Sequence, residues 1–356
     1  MRLLIKKSIH LPILWGSLHG INDFVAGYML ANFTFAHNSS ESFTMLVVYA
    51  IIGFGGQLPV GFMLDKQKQI KPFAVASISL LLLSCFIYFI DPTVAIIVTG
   101  FASAGIHVTG GAICLQVNED KSGPLGIFTA PGVVGLALGS MLGLLSSSYL
   151  LFAISAIIVV AIFIFKQPTP VYQVQHKNNT SQLDSHDWIM LSILLVMCFR
   201  SFIFDIMNAS SILFENGILI FGISAFLGKI IGGFLADRIG WKKFIYITLP
   251  LAFVLFNFGR ENIYAIAFGI ACLQSSVPLT LLLMSRSLPL FPATATALSL
   301  GTSVALAGLP LYMKHEPFIN KNFYFDVFGV LFFAAMIILW VLLAFKSKRT
   351  HSLYTS

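Results

Sequence analysis

The stretch GGFLADRIGWKK, residues 232–243, places one acidic and three basic side chains between two long apolar runs. A looser copy of it, GFMLDKQKQIK, occupies residues 61–71. In each copy a glycine precedes an aspartate by four positions, and the two aspartates, Asp65 and Asp237, are 172 residues apart. That offset is close to half of the 356-residue chain. The repeat therefore predicts a chain that is built from two related halves.

The composition indicates a membrane protein. Hydrophobic residues make up 57% of the chain and charged residues only 10%, whereas soluble domains carry about 25% charged residues. The apolar runs are long enough to cross a bilayer, which takes about 20 helical residues. They lack the alternation of apolar and polar residues that marks the strands of an outer-membrane barrel. An α-helical protein surrounded by the lipid bilayer is therefore expected.

Twelve apolar segments divide into two sets of six. We predict these spans at about residues 11–36, 43–63, 73–91, 93–117, 124–146, 149–166, 188–208, 213–236, 243–259, 262–284, 292–312 and 323–345. The widest polar break, which contains two prolines, separates the sixth span from the seventh. The predicted fold is an all-α membrane protein with twelve transmembrane helices in two pseudo-symmetric halves. The first half covers residues 1–166, a cytoplasmic linker covers 167–187, and the second half covers 188–356.

The basic side chains predict how these spans are oriented. Lysine and arginine favour the cytoplasmic side of a membrane, and nearly all of those outside the spans share one side with the N-terminus. The opposite side holds only Arg260, Lys314 and Lys321. We therefore expect both termini in the cytoplasm and the chain in the inner membrane of a bacterium. The net charge of +7 then reflects membrane orientation and not nucleic-acid binding.

Motifs for catalysis or metal binding are missing from the sequence. The four cysteines, Cys85, Cys114, Cys198 and Cys272, lie in apolar runs without the spacing of metal ligands, and small core residues are their expected role. No phosphate-binding loop, zinc-protease motif or serine-hydrolase motif occurs. We expect no enzyme activity, no cofactor and no metal ligands.

Both charged stretches resemble the signature loop of the major facilitator superfamily, G-x-L-x-D-R-x-G-R-K. The matching residues are Gly233, Asp237, Arg238, Gly240 and Lys243 or Lys242 in the second copy, and Gly61, Asp65 and Lys66 in the first. The first copy departs at Lys68 and Gln69, where glycine and arginine are expected. The resemblance implies a secondary transporter in which these residues act as a conformational latch. An aspartate can do this by meeting the N-terminus of a neighbouring helix, and a glycine by permitting close approach.

Polar side chains inside the predicted spans are candidates for the transport site, since a charge at mid-membrane costs about 2.5–3.5 kcal/mol. In the first span, His19, Asn22 and Asp23 share one helical face. His107 lies near mid-depth in the fourth span, and Arg200 lies deep in the seventh. We expect Asp23 and His19 to carry protons, and Arg200 to pair with Asp23 or with an anionic substrate. The structural alternative is a polar cluster that only joins neighbouring helices.

Other candidates have a plainer alternative. Gln274 in the tenth span could bind substrate, or it could satisfy a backbone carbonyl that a nearby proline frees. Lys229 in the eighth span could bind substrate, reach the membrane surface or pair locally. The fifth span repeats glycine every four residues, at Gly135, Gly139 and Gly143, which predicts a tightly packed helix.

Three segments also resemble the fosmidomycin-resistance-type branch of the same superfamily: HGINDF in the first span, QLPVGFMLDK at the end of the second and AGIHVTGG in the fourth. This resemblance implies that His19, Asn22, Asp23 and His107 belong to the transport site. It departs after His107, where the branch has Pro-Glu and this chain has Val108-Thr109. The complete predicted substrate and proton site comprises His19, Asn22, Asp23, His107, Arg200 and Gln274.

The sequence thus predicts a proton antiporter for efflux of a small organic compound, with an anionic compound favoured by the deep arginine. An importer of a nutrient, siderophore or organic acid in the same fold is one alternative, because direction is not encoded in these motifs. A membrane-embedded enzyme or a sensor that does not transport is another, although an enzyme should show clustered acids or metal ligands at one membrane face. A metal exporter would need several His, Asp or Met side chains at one depth, and His19, Asp23 and His107 are the candidates for this. The expected partners are a small-molecule substrate, protons and the lipid bilayer, and the chain is expected to act as a monomer.

Overall fold

The computed structural model describes residues 9–67, 69–118, 120–145, 149–167, 185–209, 211, 214–259 and 261–312, and within them the regular structure is helical. The α-helices are α1 (His10–Ala36), α2 (Ser39–Ala50), α3 (Gln57–Gln67), α4 (Ile70–Ile87), α5 (Pro92–Val117), α6 (Gly123–Gly143), α7 (Tyr149–Lys166), α8 (Ser185–Ala209), α9 (Gly217–Ile239), α10 (Trp241–Phe258), α11 (Ile263–Gln274), α12 (Val277–Ser287), α13 (Pro292–Thr296) and α14 (Ser303–Tyr312). Two short π-helical segments, Ile51–Gly55 and Ala297–Thr302, connect α2 to α3 and α13 to α14.

Side-chain caps mark several helix starts. Asn38 accepts the backbone N–H of Glu41 at the start of α2. Asp91 accepts two backbone N–H groups at the start of α5, which also has a proline in its first turn. Asn262 caps α11 in the same way. Such caps satisfy N–H groups that have no partner within the helix, so they place these helix boundaries where the sequence changes from apolar to polar.

The first eleven predicted spans each overlap one or more of these helices. The second span consists of α2, a π-helical segment and α3, and the eleventh consists of α13, a π-helical segment and α14. The tenth is interrupted between α11 and α12, next to Pro278. There the hydroxyls of Ser275 and Ser276 donate to the backbone carbonyls of the preceding turn. The predicted twelfth span, 323–345, lies outside the described residues, and the count of twelve spans stays a prediction.

Membrane crossing is supported by the length and character of the helices. In the described part of the chain, nine helical stretches are long and apolar enough to span a bilayer. Large apolar side chains such as Phe86, Phe152 and Phe268 lie exposed on their surfaces, as expected of a protein that faces lipid. The chain is therefore a multi-pass membrane protein.

In the part of the chain that the structure describes, buried apolar side chains form two clusters. One consists mainly of residues between Leu11 and Ile164, with four contributions from α12, α13 and the π-helical segment that follows. The other consists of residues between Ile193 and Ala295. The predicted linker at 167–187 falls between these two sets along the sequence. Most of that linker lies outside the described residues, and the division into two six-helix halves stays a prediction.

The glycine repeat of α6 lies against α1. A methyl group added at Gly135 would overlap the backbone carbonyl of Gly20, and one at Gly139 would overlap that of Phe24. Gly143 is equally close to the carbonyl of Tyr28. Backbones this close require residues without side chains. The predicted tight packing is thus present, and it fixes the position of α1, which carries the candidate site.

Gly135→Ala is expected to lower the stability of the protein by about 1–3 kcal/mol or more, because the added methyl group must push α1 away from α6. The measurement is the thermal unfolding midpoint of the detergent-purified protein. Gly55→Ala is the matched control, since a methyl group there meets nothing within 4 Å. Equal midpoints for the two variants would contradict the close approach of the helices.

Candidate functional site

A buried cluster of two histidines and one aspartate lies between α1 and α5; we call it the His–Asp–His cluster (His19, Asp23 and His107). Nε2 of His19 is 3.2 Å from Oδ2 of Asp23. Nε2 of His107 is 3.6 Å from Oδ1 of the same carboxylate. The histidine side chains are 6% and 5% exposed, and the Asp23 side chain is 17% exposed. Two imidazoles thus face one carboxylate that keeps some access to the outside.

The other ring nitrogen of each histidine is held by the backbone. Nδ1 of His19 is 3.0 Å from the carbonyl oxygen of Phe128 on α6. Nδ1 of His107 is 2.8 Å from the carbonyl oxygen of Ser103, one turn earlier on α5. A carbonyl oxygen only accepts hydrogen bonds, so we assign a proton to both Nδ1 atoms; the Ser103 hydroxyl, 3.2 Å from Nδ1 of His107, then accepts from it as well. In the neutral form, each Nε2 therefore has a lone pair that points towards Asp23.

This arrangement has a direct consequence for protonation. If both histidines were neutral and Asp23 were ionised, nitrogen lone pairs would face a negative carboxylate with no proton between them. One added proton, either on the carboxylate or on His19, converts the 3.2 Å contact into a charge-assisted hydrogen bond. The three groups can therefore hold one proton jointly, between the carboxylate and an imidazole nitrogen. Such a unit is suited to taking up and releasing protons.

Neighbouring polar groups position the cluster. The amide nitrogen of Asn22 donates to Asp23 Oδ1 at 2.9 Å and to the Ser103 hydroxyl at 3.0 Å. The Tyr49 hydroxyl donates to the same serine at 3.2 Å. Gly132 on α6 leaves the space that the cluster occupies, because a methyl group there would overlap His19 and Asp23. Asn22 thus fixes the orientation of the Asp23 carboxylate.

Two buried basic side chains lie on α8 and α9, which follow the predicted linker in the chain. Arg200 is 7% exposed, and its Nη1 donates to the Thr280 hydroxyl at 2.6 Å. Its Nε is buried without a hydrogen-bond partner among the described residues. Lys229 is 8% exposed and donates to the backbone carbonyl of Thr129 at 3.2 Å. Thr129 directly follows Phe128, whose carbonyl contacts His19, so Lys229 lies close to the His–Asp–His cluster.

Several sequence-based expectations need adjustment. Arg200 contacts Thr280 and forms no ion pair with Asp23 in the described part of the structure. The partners of Asp23 are instead His19 and His107. Lys229 is buried and donates to the backbone carbonyl of Thr129. Because a sequence does not say which helices face each other, these partners could not be assigned from it.

Gln274 is buried at the end of α11, where the helix is interrupted before α12. The two serines that follow it, and not Gln274, satisfy backbone carbonyls there. The structure therefore does not require Gln274 for the helix break. Its predicted contact with substrate stays a prediction.

The first charged stretch holds two helices together. Asp65 at the end of α3 is 3% exposed and accepts the backbone N–H groups of Ala293 and Thr294 at 3.1 and 2.8 Å. It also accepts the Thr294 hydroxyl at 2.6 Å. Gly61 lies directly against this segment, since a methyl group there would lie 3.0–3.1 Å from atoms of Ala293, Ala297 and Thr294. Lys66 is exposed.

The second stretch forms the reciprocal contact. Asp237 on α9 accepts the backbone N–H groups of Ser122 and Gly123 at the start of α6, both at 2.9 Å, and the Ser122 hydroxyl at 2.8 Å. Gly233 packs against the same turn. Gly240 has a positive φ of 89°, which favours glycine, and Arg238 is exposed. Each aspartate therefore binds the N-terminus of a helix from the other side of the predicted linker.

Some residues of these sites were not found from the sequence. Ser103 and Tyr49 support the His–Asp–His cluster, and Ser122 and Thr294 receive the two aspartates. Serine four residues before His107 is a weak signal, because such hydroxyls are common in membrane helices. A serine or threonine in the first turn of a helix is a better signal of a contact with an aspartate from another helix, since its hydroxyl can donate to the carboxylate.

The apolar spans, the buried charges within them and the two reciprocal aspartate contacts together define a helical membrane transporter fold. The chain belongs to the Major Facilitator Superfamily, whose family model matches residues 13–258. No curated protein matches the sequence.

Solved transporters share this fold. The Escherichia coli fucose:proton symporter FucP is similar with a TM-score of 0.70 at 11% sequence identity, over 95% of this chain and 98% of that one. A second FucP structure, in the outward conformation, has a TM-score of 0.69 at 11% identity, over 95% of this chain and 97% of that one. The human organic anion transporter MFSD10 (TETRAN) has a TM-score of 0.61 at 15% identity, over 94% of this chain and 99% of that one.

Proposed function

We propose that the chain is a proton-coupled secondary transporter that moves a small organic anion by alternating access. The observation that carries this proposal is the His–Asp–His cluster, in which two Nε2 lone pairs converge on one carboxylate. It supplies a place for protons inside the membrane. Arg200 and Lys229 supply positive charge that could bind an anion. The Nε–H group of Arg200, which has no hydrogen-bond partner among the described residues, could donate to that anion.

The charges favour one mode of coupling. Protonation of the His–Asp–His cluster removes the negative charge of Asp23 or adds positive charge to a histidine. Either change makes the region around Lys229 more attractive to an anion. Proton and anion then bind together, which is symport, and a proton gradient directed inward would drive uptake. Symport is therefore the mode that the geometry supports best.

Efflux by proton antiport, which the sequence motifs predict, remains the second candidate function. It is favoured by the resemblance to the fosmidomycin-resistance-type branch, whose motif residues His19, Asn22, Asp23 and His107 all meet at one place. In that mode Asp23 would release its proton as the substrate binds. The two modes share one site and differ only in the sign of the proton movement that accompanies the substrate.

The proposed arrangement in the membrane follows the sequence. Twelve spans in two halves, with both termini in the cytoplasm of a bacterium, would place Asp65 and Asp237 at the cytoplasmic face. The contacts of these aspartates would then close the cytoplasmic side and leave the site reachable from outside. The chain would act as a monomer.

The test is substrate-driven proton movement in proteoliposomes that contain the full-length chain and a trapped pH indicator, with the membrane potential clamped. A panel of organic acids, phosphonates and siderophores is added outside, together with neutral amide analogues as controls. Symport acidifies the lumen and antiport makes it alkaline. We expect acids and not amides to respond, and Asp23→Asn to abolish the response. A normal response from Asp23→Asn would contradict the proposal.

A further inference from the structure

We propose that His19, Asp23 and His107 also bind one divalent transition-metal ion of the zinc class, in the place where protons are otherwise held. From the sequence alone these residues are metal-ligand candidates only on condition that they lie at one depth, because they come from two different helices. The fold brings them together. This inference goes beyond the transport of an organic anion and does not depend on the direction of transport.

The donor atoms have the separations that a small metal ion needs. Zinc binds imidazole nitrogen and carboxylate oxygen at about 2.0–2.2 Å, so tetrahedral neighbours around it are about 3.4 Å apart. The two contacts between Nε2 and the carboxylate are 3.2 and 3.6 Å. One donor atom from each of the three side chains lies within 4.8 Å of the others. Small side-chain rotations are enough to place all three around one ion.

The second nitrogen of each histidine strengthens this argument. Histidines that bind metals almost always donate their other ring N–H to a carbonyl or a carboxylate, which fixes the tautomer and the ring orientation. Both histidines here do so, to the carbonyls of Phe128 and Ser103. Two imidazoles with Nε2 lone pairs aimed at a carboxylate form a donor set suited to zinc, iron, nickel or copper.

The surroundings indicate an exchangeable site. Three protein ligands leave one position of a tetrahedral ion open, and Asp23 keeps 17% of its side chain exposed. The ammonium group of Lys229, close to the cluster, would repel a bound cation, while the Asp23 carboxylate would attract it. We therefore expect weaker binding than in a closed structural zinc site, and competition between the metal ion and protons for the same Nε2 atoms.

The experiment is a titration of the detergent-purified full-length protein, stripped with chelator, with Co²⁺ followed by its visible absorption and then displaced by Zn²⁺. We expect one ion per chain. Loss of a residue that only hydrogen-bonds to a metal ligand lowers metal affinity by roughly 10- to 100-fold. His107→Ala and Asp23→Asn remove the ligands themselves and should weaken binding by more than that. His37→Ala is the matched control, because this histidine stacks on Phe33 at the end of α1, away from the cluster.

A further variant keeps the test decisive if His107→Ala fails to fold. His107→Cys retains a zinc ligand and should keep binding, with a new thiolate-to-cobalt charge-transfer band. Saturable binding that is lost in the cluster variants and kept in His37→Ala supports the proposal. It is overturned if Co²⁺ gives no saturable spectrum, if the cluster variants bind as well as the wild type, or if His107→Cys binds without the new band.

Discussion

Replacing Asp237 with alanine is expected to separate α9 from the start of α6 and to open the end of the molecule where they meet. The carboxylate accepts three hydrogen bonds there, two from backbone N–H groups of Ser122 and Gly123 and one from the Ser122 hydroxyl. A hydrogen bond to a charged group contributes about 1.5–3 kcal/mol. Loss of even one such contribution shifts a two-state equilibrium by about 10- to 100-fold. Asp65→Ala should act in the same direction through α13.

The opening is measured as a distance between spin labels in the detergent-purified protein, after replacement of the native cysteines. Labels at Lys121 and Arg238, both exposed, report on the contact of Asp237. Wild-type protein should show a single short distance, and Asp237→Ala should add a population at longer distance. The matched control is Asp120→Ala. Its exposed ion pair with Arg286 spans 3.2 Å at the surface and should contribute at most about 1 kcal/mol. Unchanged distances in Asp237→Ala would show that the contact is not a latch.

The membrane helices and the contacts made by the charged stretches could be predicted from the sequence because both depend on local sequence signals. Apolar length predicts a membrane helix directly, and eleven predicted segments overlap observed helices. An aspartate four residues after a glycine at a helix end predicts a contact between helices, although not its partner. The copy that departs more from the superfamily pattern still buries Asp65 with three hydrogen bonds. The lost glycine and arginine are therefore not needed for that contact.

The partners inside the candidate site could not be predicted, for a physical reason. In a soluble helix, the apolar face shows which side packs inwards. A membrane helix is apolar on all sides, so its sequence does not show which neighbour it faces. His19, Asn22 and Asp23 were grouped correctly because they lie on one helix. That His107 and not Arg200 meets Asp23 depends on the packing of α1 against α5 and α6, which tightly apposed glycines determine.

Replacing Arg200 with methionine is expected to stabilise the protein and to abolish transport. The guanidinium is buried, its one hydrogen bond is to the Thr280 hydroxyl, and no carboxylate pairs with it among the described residues. A buried charge without a counter-ion is costly, and apolar side chains of similar volume in place of buried charges have raised stability by about 1–4 kcal/mol. Such a cost is understandable if the charge serves an anion that binds there during transport.

The unfolding midpoint and the proteoliposome response are therefore measured on the same Arg200→Met preparation. We expect a higher midpoint together with no response to any acid that is active with the wild type. Arg286→Met is the control, because that arginine pairs with Asp120 at the surface and lies over the Trp241 ring; it should leave the response intact. A lower midpoint for Arg200→Met would assign the arginine to the packing of α8 and α12. A preserved response would remove the arginine from the anion site. A higher midpoint together with a lost response would support that site, because an arginine that only supports the fold has no reason to be both destabilising and indispensable.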